Sequence, residues 1–218
     1  MRKKRNYLYV FLLSFVLFTT ILWVMKIQQG TIPLVDQWTR GFVQSLADSN
    51  LYFLFRWLTE LGSGTFLTPF TIVVAIILGY IFRDWFVGVM FAGGTLLSYG
   101  ANVLIKVIVE RGRPRIFVAA EAEGYSFPSG HAMISMVCYG LLIYFLAKKI
   151  KSKKKVIAAQ ISVAILIFLI GFSRYMIRVH YLTDVLAGFA FGFIFILLWT
   201  MLFEYVQRRR SPANESPS

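Results

Sequence analysis

Six long apolar runs constrain this chain more than any other feature of its sequence. Each holds 17 to 25 mostly apolar residues, close to the roughly 20 that a helix needs to cross the ~30 Å hydrocarbon core of a bilayer. The runs lack the alternation of apolar and polar residues that marks a membrane β-barrel. The sequence therefore predicts an all-α integral membrane bundle of six transmembrane helices, at residues 7–27, 66–82, 85–109, 131–147, 156–172 and 184–206.

The composition excludes several classes of protein. The chain is 58% hydrophobic and 15% charged, with a mean hydropathy of +0.67, whereas soluble domains are about 25% charged. A cytosolic enzyme is therefore excluded, and the 17% aromatic content excludes a disordered chain. The single cysteine, Cys138, excludes a disulfide framework and a cysteine-rich metal site. We expect one membrane domain over residues 1–210 and a polar disordered tail at 211–218.

The basic residues lie mainly on one side of the predicted bundle. With a cytoplasmic N-terminus, the cytoplasmic segments hold 14 basic and three acidic residues, and the other side holds nine basic and seven acidic residues. This asymmetry predicts that both termini are cytoplasmic. The net charge of +13 is thus mostly a topology signal, and no nucleic-acid partner is expected. The first run could instead be a signal peptide, but no A-x-A-like cleavage site follows it, so we predict a retained anchor.

Ionisable residues gather at the predicted outer ends of the helices, where burial makes them functional candidates. Taken singly, Arg111, Arg113 and Arg115 could be interfacial anchors, and Asp184 could be a helix cap. The candidates are Lys106, Arg113, Ser129, Gly130, His131, Arg174, His180 and Asp184.

Together these residues suit phosphoryl transfer. A phosphate dianion is bound by fixed cations and by backbone N–H groups at a helix N-terminus. His180 and Asp184 share one face of a helical turn at i, i+4, so the carboxylate can hold one ring nitrogen and leave the other free to attack phosphorus. His131 could protonate the leaving alkoxide. No metal or other cofactor is expected, because two histidines and one aspartate make a thin ligand set.

The order and spacing of these residues resemble the three-part signature of the type 2 phosphatidic acid phosphatase superfamily. The matching stretches are Lys106-x6-Arg113-Pro114, Pro128-Ser129-Gly130-His131 and Ser173-Arg174-x5-His180-x3-Asp184. The resemblance implies a six-helix enzyme that hydrolyses lipid phosphate esters through a phosphohistidine. It makes His180 the nucleophile, Asp184 its orienting partner and His131 the acid. It assigns phosphate binding to Lys106, Arg113, Ser129, Gly130 and Arg174.

The resemblance also sets the expected substrate and location. We expect the phosphate monoester of phosphatidylglycerophosphate as substrate, with undecaprenyl pyrophosphate as the alternative, at the outer leaflet of a bacterial inner or plasma membrane. Two rivals are a transferase that passes phosphate to a lipid A acceptor and a transporter or receptor that binds anionic lipid without turnover. A His180→Gln substitution tests the second rival, because a protein that only binds lipid needs no nucleophile and should keep its function. The oligomeric state stays open.

Overall fold

The computed structural model describes residues 2–45, 50–114 and 124–210. Arg115 and the predicted tail at 211–218 lie outside this part of the chain. Within it the chain forms eight helices: α1 (Arg2–Gln28), α2 (Leu34–Ser45), α3 (Asn50–Glu60), α4 (Gly64–Phe82), α5 (Trp85–Val109), α6 (Gly130–Ala147), α7 (Lys153–Met176) and α8 (Leu182–Arg210).

The predicted all-α membrane bundle is confirmed. Five helices in the described ranges, α4 to α8, are long and apolar enough to cross a membrane. The first predicted span lies in α1, a continuous helix of 27 residues whose shorter apolar stretch is Ser14–Gln28. At 1.5 Å per residue, α1 is about 40 Å long.

α7 and α8 extend beyond both ends of the apolar runs that predicted them. The run 156–172 became α7, Lys153–Met176, and the run 184–206 became α8, Leu182–Arg210. Hydropathy marks only the part of a helix inside hydrocarbon, whereas the backbone continues to its caps. Ser152 caps α7 by accepting a hydrogen bond from the Lys155 N–H. As a result Arg174, two residues beyond the end of the predicted span, belongs to the last turn of α7.

Two shorter helices connect α1 to α4. With 12 and 11 residues, α2 and α3 are too short to span a bilayer. α3 packs on α7, where the rings of Phe55 and Phe172 meet edge to face at 6.0 Å, and it leaves Trp57 79% exposed. The aromatic segment 51–57 is thus part of a helix with one packed and one open face.

α6 lies at the centre, in contact with α4, α5, α7 and α8, and α8 approaches it most closely at two glycines. A Cβ atom added to Gly188 would lie 2.7 Å from the carbonyl oxygen of Ser129, and one on Gly192 would lie 2.8 Å from that of Met133. Only small residues allow such an approach between helices in a membrane. α6 and α8 run parallel, and this close packing holds their N-termini side by side, with one histidine near each.

Candidate active site

A left-handed residue ends α5 and directs the chain toward the site. Glu110 has a φ of 51°, and its N–H donates to the carbonyl oxygen of Lys106 at 2.9 Å. The residues that follow run back across the top of the bundle. The carbonyl oxygen of Arg111 accepts a hydrogen bond of 2.7 Å from the N–H of Ser126. This turn places Arg111 and Arg113 over the ends of the other helices.

α7 ends in a Schellman motif, which ties Arg174 to the chain around His180. Val179 donates to the carbonyl oxygen of Arg174 at 3.2 Å, and Arg178 donates to that of Tyr175 at 3.0 Å. The left-handed position is occupied by Arg178, with a φ of 64°, where glycine is usual. The N–H of His180 also donates to the Arg174 carbonyl oxygen, at 3.3 Å. The carbonyl group of Arg174 thus links the end of α7 to the backbone of His180.

His180 is buried between an acid and a cation. Its Nδ1 lies 3.4 Å from Oδ2 of Asp184, and its Nε2 lies 3.3 Å from Nη1 of Arg113. Burial lowers the pKa of His180 to about 3, although the Asp184 carboxylate acts to raise it. The free imidazole is therefore neutral at physiological pH. With Nδ1–H directed at Asp184, the lone pair on Nε2 points to the side where Arg113 lies.

Asp184 is fully buried and held by hydrogen bonds from several directions. Its Oδ2 accepts from the N–H of Tyr181 at 2.9 Å and from the hydroxyl of Ser126. Its Oδ1 accepts from Nη1 of Arg111 at 2.5 Å. The sequence predicted His180 and Asp184 on one continuous helical turn, whereas His180 lies two residues before α8. The pair still meets, because the Tyr181 N–H bond closes the turn between them.

Two cations reach the site from the end of α5 and the segment after it. Arg113 donates from Nε to the carbonyl oxygen of Gly124 at 3.0 Å and from Nη1 to that of Val179 at 2.9 Å. Burial lowers the pKa of Arg113, and the nearby Asp184 opposes that shift. Lys106 donates from Nζ to the carbonyl oxygen of Tyr125 at 2.5 Å. Backbone carbonyls thus fix both positive groups in place.

Arg174 brings a third cation, from the end of α7. Its Nη1 donates to Oγ1 of Thr59 at 3.0 Å, so the segment before α4 does contact the site. Its Nε is buried and has no hydrogen-bond partner within the described part of the chain. A buried N–H without a partner is costly, and a phosphate oxygen is a group that could satisfy it.

The N-terminus of α6 completes the set. Ser129 is the N-cap and accepts from the N–H of Ala132 at 3.4 Å, while its own N–H donates to the carbonyl oxygen of Asp184 at 2.9 Å. Gly130 begins the helix, and His131 follows it, within the field of the positive charges of the site. The structure therefore brings all eight predicted site residues to one end of the bundle. The Ser129 hydroxyl and N–H already serve the fold there.

An inner layer of polar residues, which the sequence did not predict, lies behind the site. Arg111, which could have been an interfacial anchor, is only 7% exposed and lies between Asp184 and Asp36, whose Oδ2 is 2.7 Å from its Nη2. Thr183 and Ser126 are buried in the same network. Asp36 at the start of α2 is visible in the sequence as one acid of an outer segment, but local patterns do not predict a contact with Thr183, 147 residues away.

A cavity of about 710 Å³ opens beside His180 and Arg113. The connection between α1 and α2 and the residues after α5 form its walls, including Thr31 and Glu110. Its size is that of ordinary small-molecule sites. Among the residues that the structure describes, no group of three or more His, Cys, Asp or Glu side chains is placed to hold a metal ion. The arrangement of three cations beside an imidazole suits the binding of an anion.

Comparison with known proteins identifies the family. A family model described as the PAP2 superfamily matches residues 87–208, which include every predicted site residue. The chain belongs to the PAP2 superfamily. The assignment made from the sequence is thereby confirmed, and with it the class of protein, a membrane-embedded lipid phosphatase.

Individual PAP2 relatives are similar over most of the chain. Phosphatidylglycerophosphatase B of Bacillus subtilis (strain 168) is 32% identical over 161 residues, which are 70% of this chain and 75% of the relative. Dolichyldiphosphatase of Saccharomyces cerevisiae is 28% identical over 142 residues, 59% of each chain.

Two solved structures share the PAP2 fold. The crystal structure of a transmembrane PAP2-type phosphatidylglycerolphosphate phosphatase from Bacillus subtilis matches with a TM-score of 0.75 at 24% identity, over 88% of this chain and 97% of that one. Aquifex aeolicus LpxE matches with a TM-score of 0.59 at 22% identity, over 78% and 96% of the two chains. At these identities the likeness concerns the fold.

Proposed function

We propose that this PAP2 protein hydrolyses the phosphate monoester of phosphatidylglycerophosphate through a phosphohistidine on His180, at the outer leaflet of a bacterial cell membrane. One observation carries the proposal. The His180 imidazole has Asp184 at Nδ1, 3.4 Å away, and Arg113 at Nε2, 3.3 Å away. This is the arrangement that a nitrogen nucleophile needs, with a carboxylate to fix its tautomer and a cation where the phosphate oxygens bind.

In the first half of the reaction, Nε2 of His180 attacks phosphorus and forms a P–N bond. The P–O bond to the lipid breaks, and its electron pair stays on the leaving oxygen. His131 donates a proton to that oxygen, which leaves as an alcohol. Arg113, Lys106 and Arg174 hold the three remaining phosphate oxygens, and Asp184 stabilises the positive charge that develops on the imidazole.

In the second half, water hydrolyses the phosphohistidine. His131, now neutral, accepts a proton from the water as its oxygen attacks phosphorus. The P–N bond breaks, its electron pair returns to Nε2 of His180, and inorganic phosphate is released. The same two histidines therefore serve both halves, with His131 as acid first and as base second. This scheme routes no step through a metal ion, so saturating EDTA should leave the rate unchanged.

The choice of substrate rests on the relatives. The Bacillus subtilis relative bears the name of a phosphatidylglycerophosphatase, and it covers more of this chain than the yeast relative does. The yeast protein is named as a dolichyldiphosphatase, which favours a second candidate, undecaprenyl pyrophosphate, since both are polyprenyl diphosphates. Three fixed cations suit either a phosphate monoester or a pyrophosphate.

A panel of lipid phosphates tests the substrate. Purified protein is given phosphatidylglycerophosphate, undecaprenyl pyrophosphate and phosphatidic acid in matched detergent micelles, and the phosphate released is measured. We expect the highest kcat/KM for phosphatidylglycerophosphate. A preference of tenfold or more for the pyrophosphate would replace it with the second candidate. If wild-type protein released no phosphate from any of the three lipids while His180→Gln still bound them, the chain would be a lipid-binding protein.

Cysteine labelling tests the side of the membrane. Cysteines are introduced separately at Lys151, in the basic α6–α7 connection, and at Thr31, near the site, both exposed positions, in a Cys138→Ala background. An impermeant thiol reagent applied to intact cells should label position 31 and leave position 151 unlabelled until the cells are opened. Labelling of position 151 alone in intact cells would place the active site on the cytoplasmic side.

A further inference from the structure

α8 begins without a capping side chain of its own. The residue before its first turn is Tyr181, which is not among the residue types that cap helices. Asp184, at the third helical position, accepts from the Tyr181 N–H at 2.9 Å. This is one half of a capping box. The other half, an acceptor for an N–H of the first turn, must come from elsewhere in the molecule.

Asp36 at the start of α2 provides that acceptor. Its Oδ1 accepts the backbone N–H of Thr183 at 3.0 Å, and its Oδ2 accepts the Thr183 hydroxyl at 2.6 Å. The Asp36 side chain is completely buried. A carboxylate here also faces the positive end of the α8 dipole. α2 thus caps, from 147 residues away, the helix that carries Asp184.

The same carboxylate holds Arg111. Nη2 of Arg111 lies 2.7 Å from Oδ2 of Asp36, and Nη1 lies 2.5 Å from Oδ1 of Asp184. The guanidinium is stacked on the ring of Tyr181, 3.9 Å from its centre. One cation is therefore shared between two carboxylates. The negative charge of Asp36 offsets part of the positive charge that Arg111 places beside Asp184.

We propose that Asp36 is a positioning residue for phosphoryl transfer. It caps the first turn of α8, and it forms an ion pair with one of the two terminal nitrogens of Arg111. Both contacts fix Asp184 opposite Nδ1 of His180. Asp36 acts through Asp184 and does not contact substrate. The proposal rests on the proposed function, since it assumes that His180 is the nucleophile. It makes α2, which lies outside the signature stretches, part of the catalytic machinery.

Asp36→Asn is the informative substitution. The amide keeps the size of the side chain and one oxygen that can accept from the Thr183 N–H. It loses the negative charge that pairs with Arg111, and it places an N–H donor next to the donors of Thr183 and Arg111. We expect kcat to fall about 10²-fold, since a small misplacement of a catalytic group costs that much. KM should stay within about twofold, because Lys106, Arg113 and Arg174 are untouched. Thr183→Ala, which removes the hydroxyl that donates to Asp36 and accepts from Arg111, should lower kcat by about three- to tenfold.

Tyr175→Phe is the matched control. Its hydroxyl donates to the carbonyl oxygen of Thr39 at 2.7 Å and so holds α2 to α7 through the α2 backbone rather than through the Asp36 side chain. If Asp36 only attached α2 to the bundle, both variants would lose activity alike. We expect Tyr175→Phe to keep kcat within about threefold of wild type.

Three results would overturn the proposal. They are an unchanged kcat in Asp36→Asn, a loss in Tyr175→Phe equal to that in Asp36→Asn, and a rise in KM with kcat preserved. If Asp36→Asn does not fold, Thr183→Ala decides, and an unchanged kcat there would overturn the proposal as well. Failure of the proposed function is distinct, because wild-type protein would then form no covalent phosphate with nitrophenyl phosphate.

Discussion

The two ends of the helix bundle hold their basic residues in opposite ways. At the catalytic end, which comprises the ends of α5 and α7 and the starts of α6 and α8, Arg111 is 7% exposed and touches two carboxylates. At the opposite end, Arg210 pairs with Asp84 at 3.3 Å, and its side chain is 45% exposed. Lys148 pairs with Glu204 there in the same half-exposed manner.

The difference lies in what fixes each cation. At the opposite end, Arg210 and Lys149 lie over the aromatic rings of Phe86 and Phe82, at 4.2 and 4.5 Å from the ring centres. Such contacts anchor a side chain at the membrane surface and leave its charge in water. At the catalytic end, carbonyl and carboxylate oxygens hold the guanidinium groups at fixed positions. The same residue types are therefore half-exposed at one end and held by oxygen atoms at the other.

The largest contrast between the ends should be catalytic. His180→Ala should lower kcat by at least about 10⁴-fold, because the variant lacks the imidazole proposed to form the covalent intermediate. Lys148→Ala, which removes a half-exposed cation from the opposite end, should leave kcat within about twofold. Phosphate release from a short-chain lipid phosphate measures both. Substantial turnover in His180→Ala would show that His180 is not the nucleophile.

The second contrast is in stability. Arg111→Met leaves Asp36 and Asp184 buried with no cation between them, and breaking a buried ion pair costs about 3–5 kcal/mol. Arg210→Met breaks an exposed pair with Asp84 and should cost at most about 1 kcal/mol. Reversible unfolding in mixed micelles gives both free energies. Equal losses in the two variants would mean that burial does not distinguish the ends.

The smallest contrast concerns pH. Both histidines lie at the catalytic end, and burial lowers the pKa of His180 to about 3, against about 6.5 in the unfolded chain. Below pH 6.5 the unfolded chain therefore binds a proton that the folded protein does not, so stability is complete above that pH and falls toward pH 3. At pH 5.5 the loss should be about 1 kcal/mol. His180→Gln should lack this component, and an identical pH dependence in both proteins would contradict the low pKa.

The sequence predicted the parts of the molecule that depend on local patterns. Apolar runs located α4 to α8 within a few residues, and the spacing of His180 and Asp184 predicted their contact. What it could not predict depends on packing between distant segments. Nothing near Asp36 indicates Thr183, and Arg111 differs from Arg113 only in which groups surround it after folding. The Gly188-x3-Gly192 pair on α8 indicates close packing against another helix, but the sequence does not identify that helix as α6.

Mapping the covalent intermediate tests the central claim most directly. His131→Ala should lose about 10²–10⁴-fold with a lipid substrate, as expected for loss of a general acid, and much less with nitrophenyl phosphate, whose leaving group needs no proton. With that substrate, rapid quenching of His131→Ala should trap an acid-labile phosphate, and peptide mapping should place it on His180. His180→Ala should trap none. Phosphate on His131, or trapped phosphate in His180→Ala, would contradict the assignment of the nucleophile.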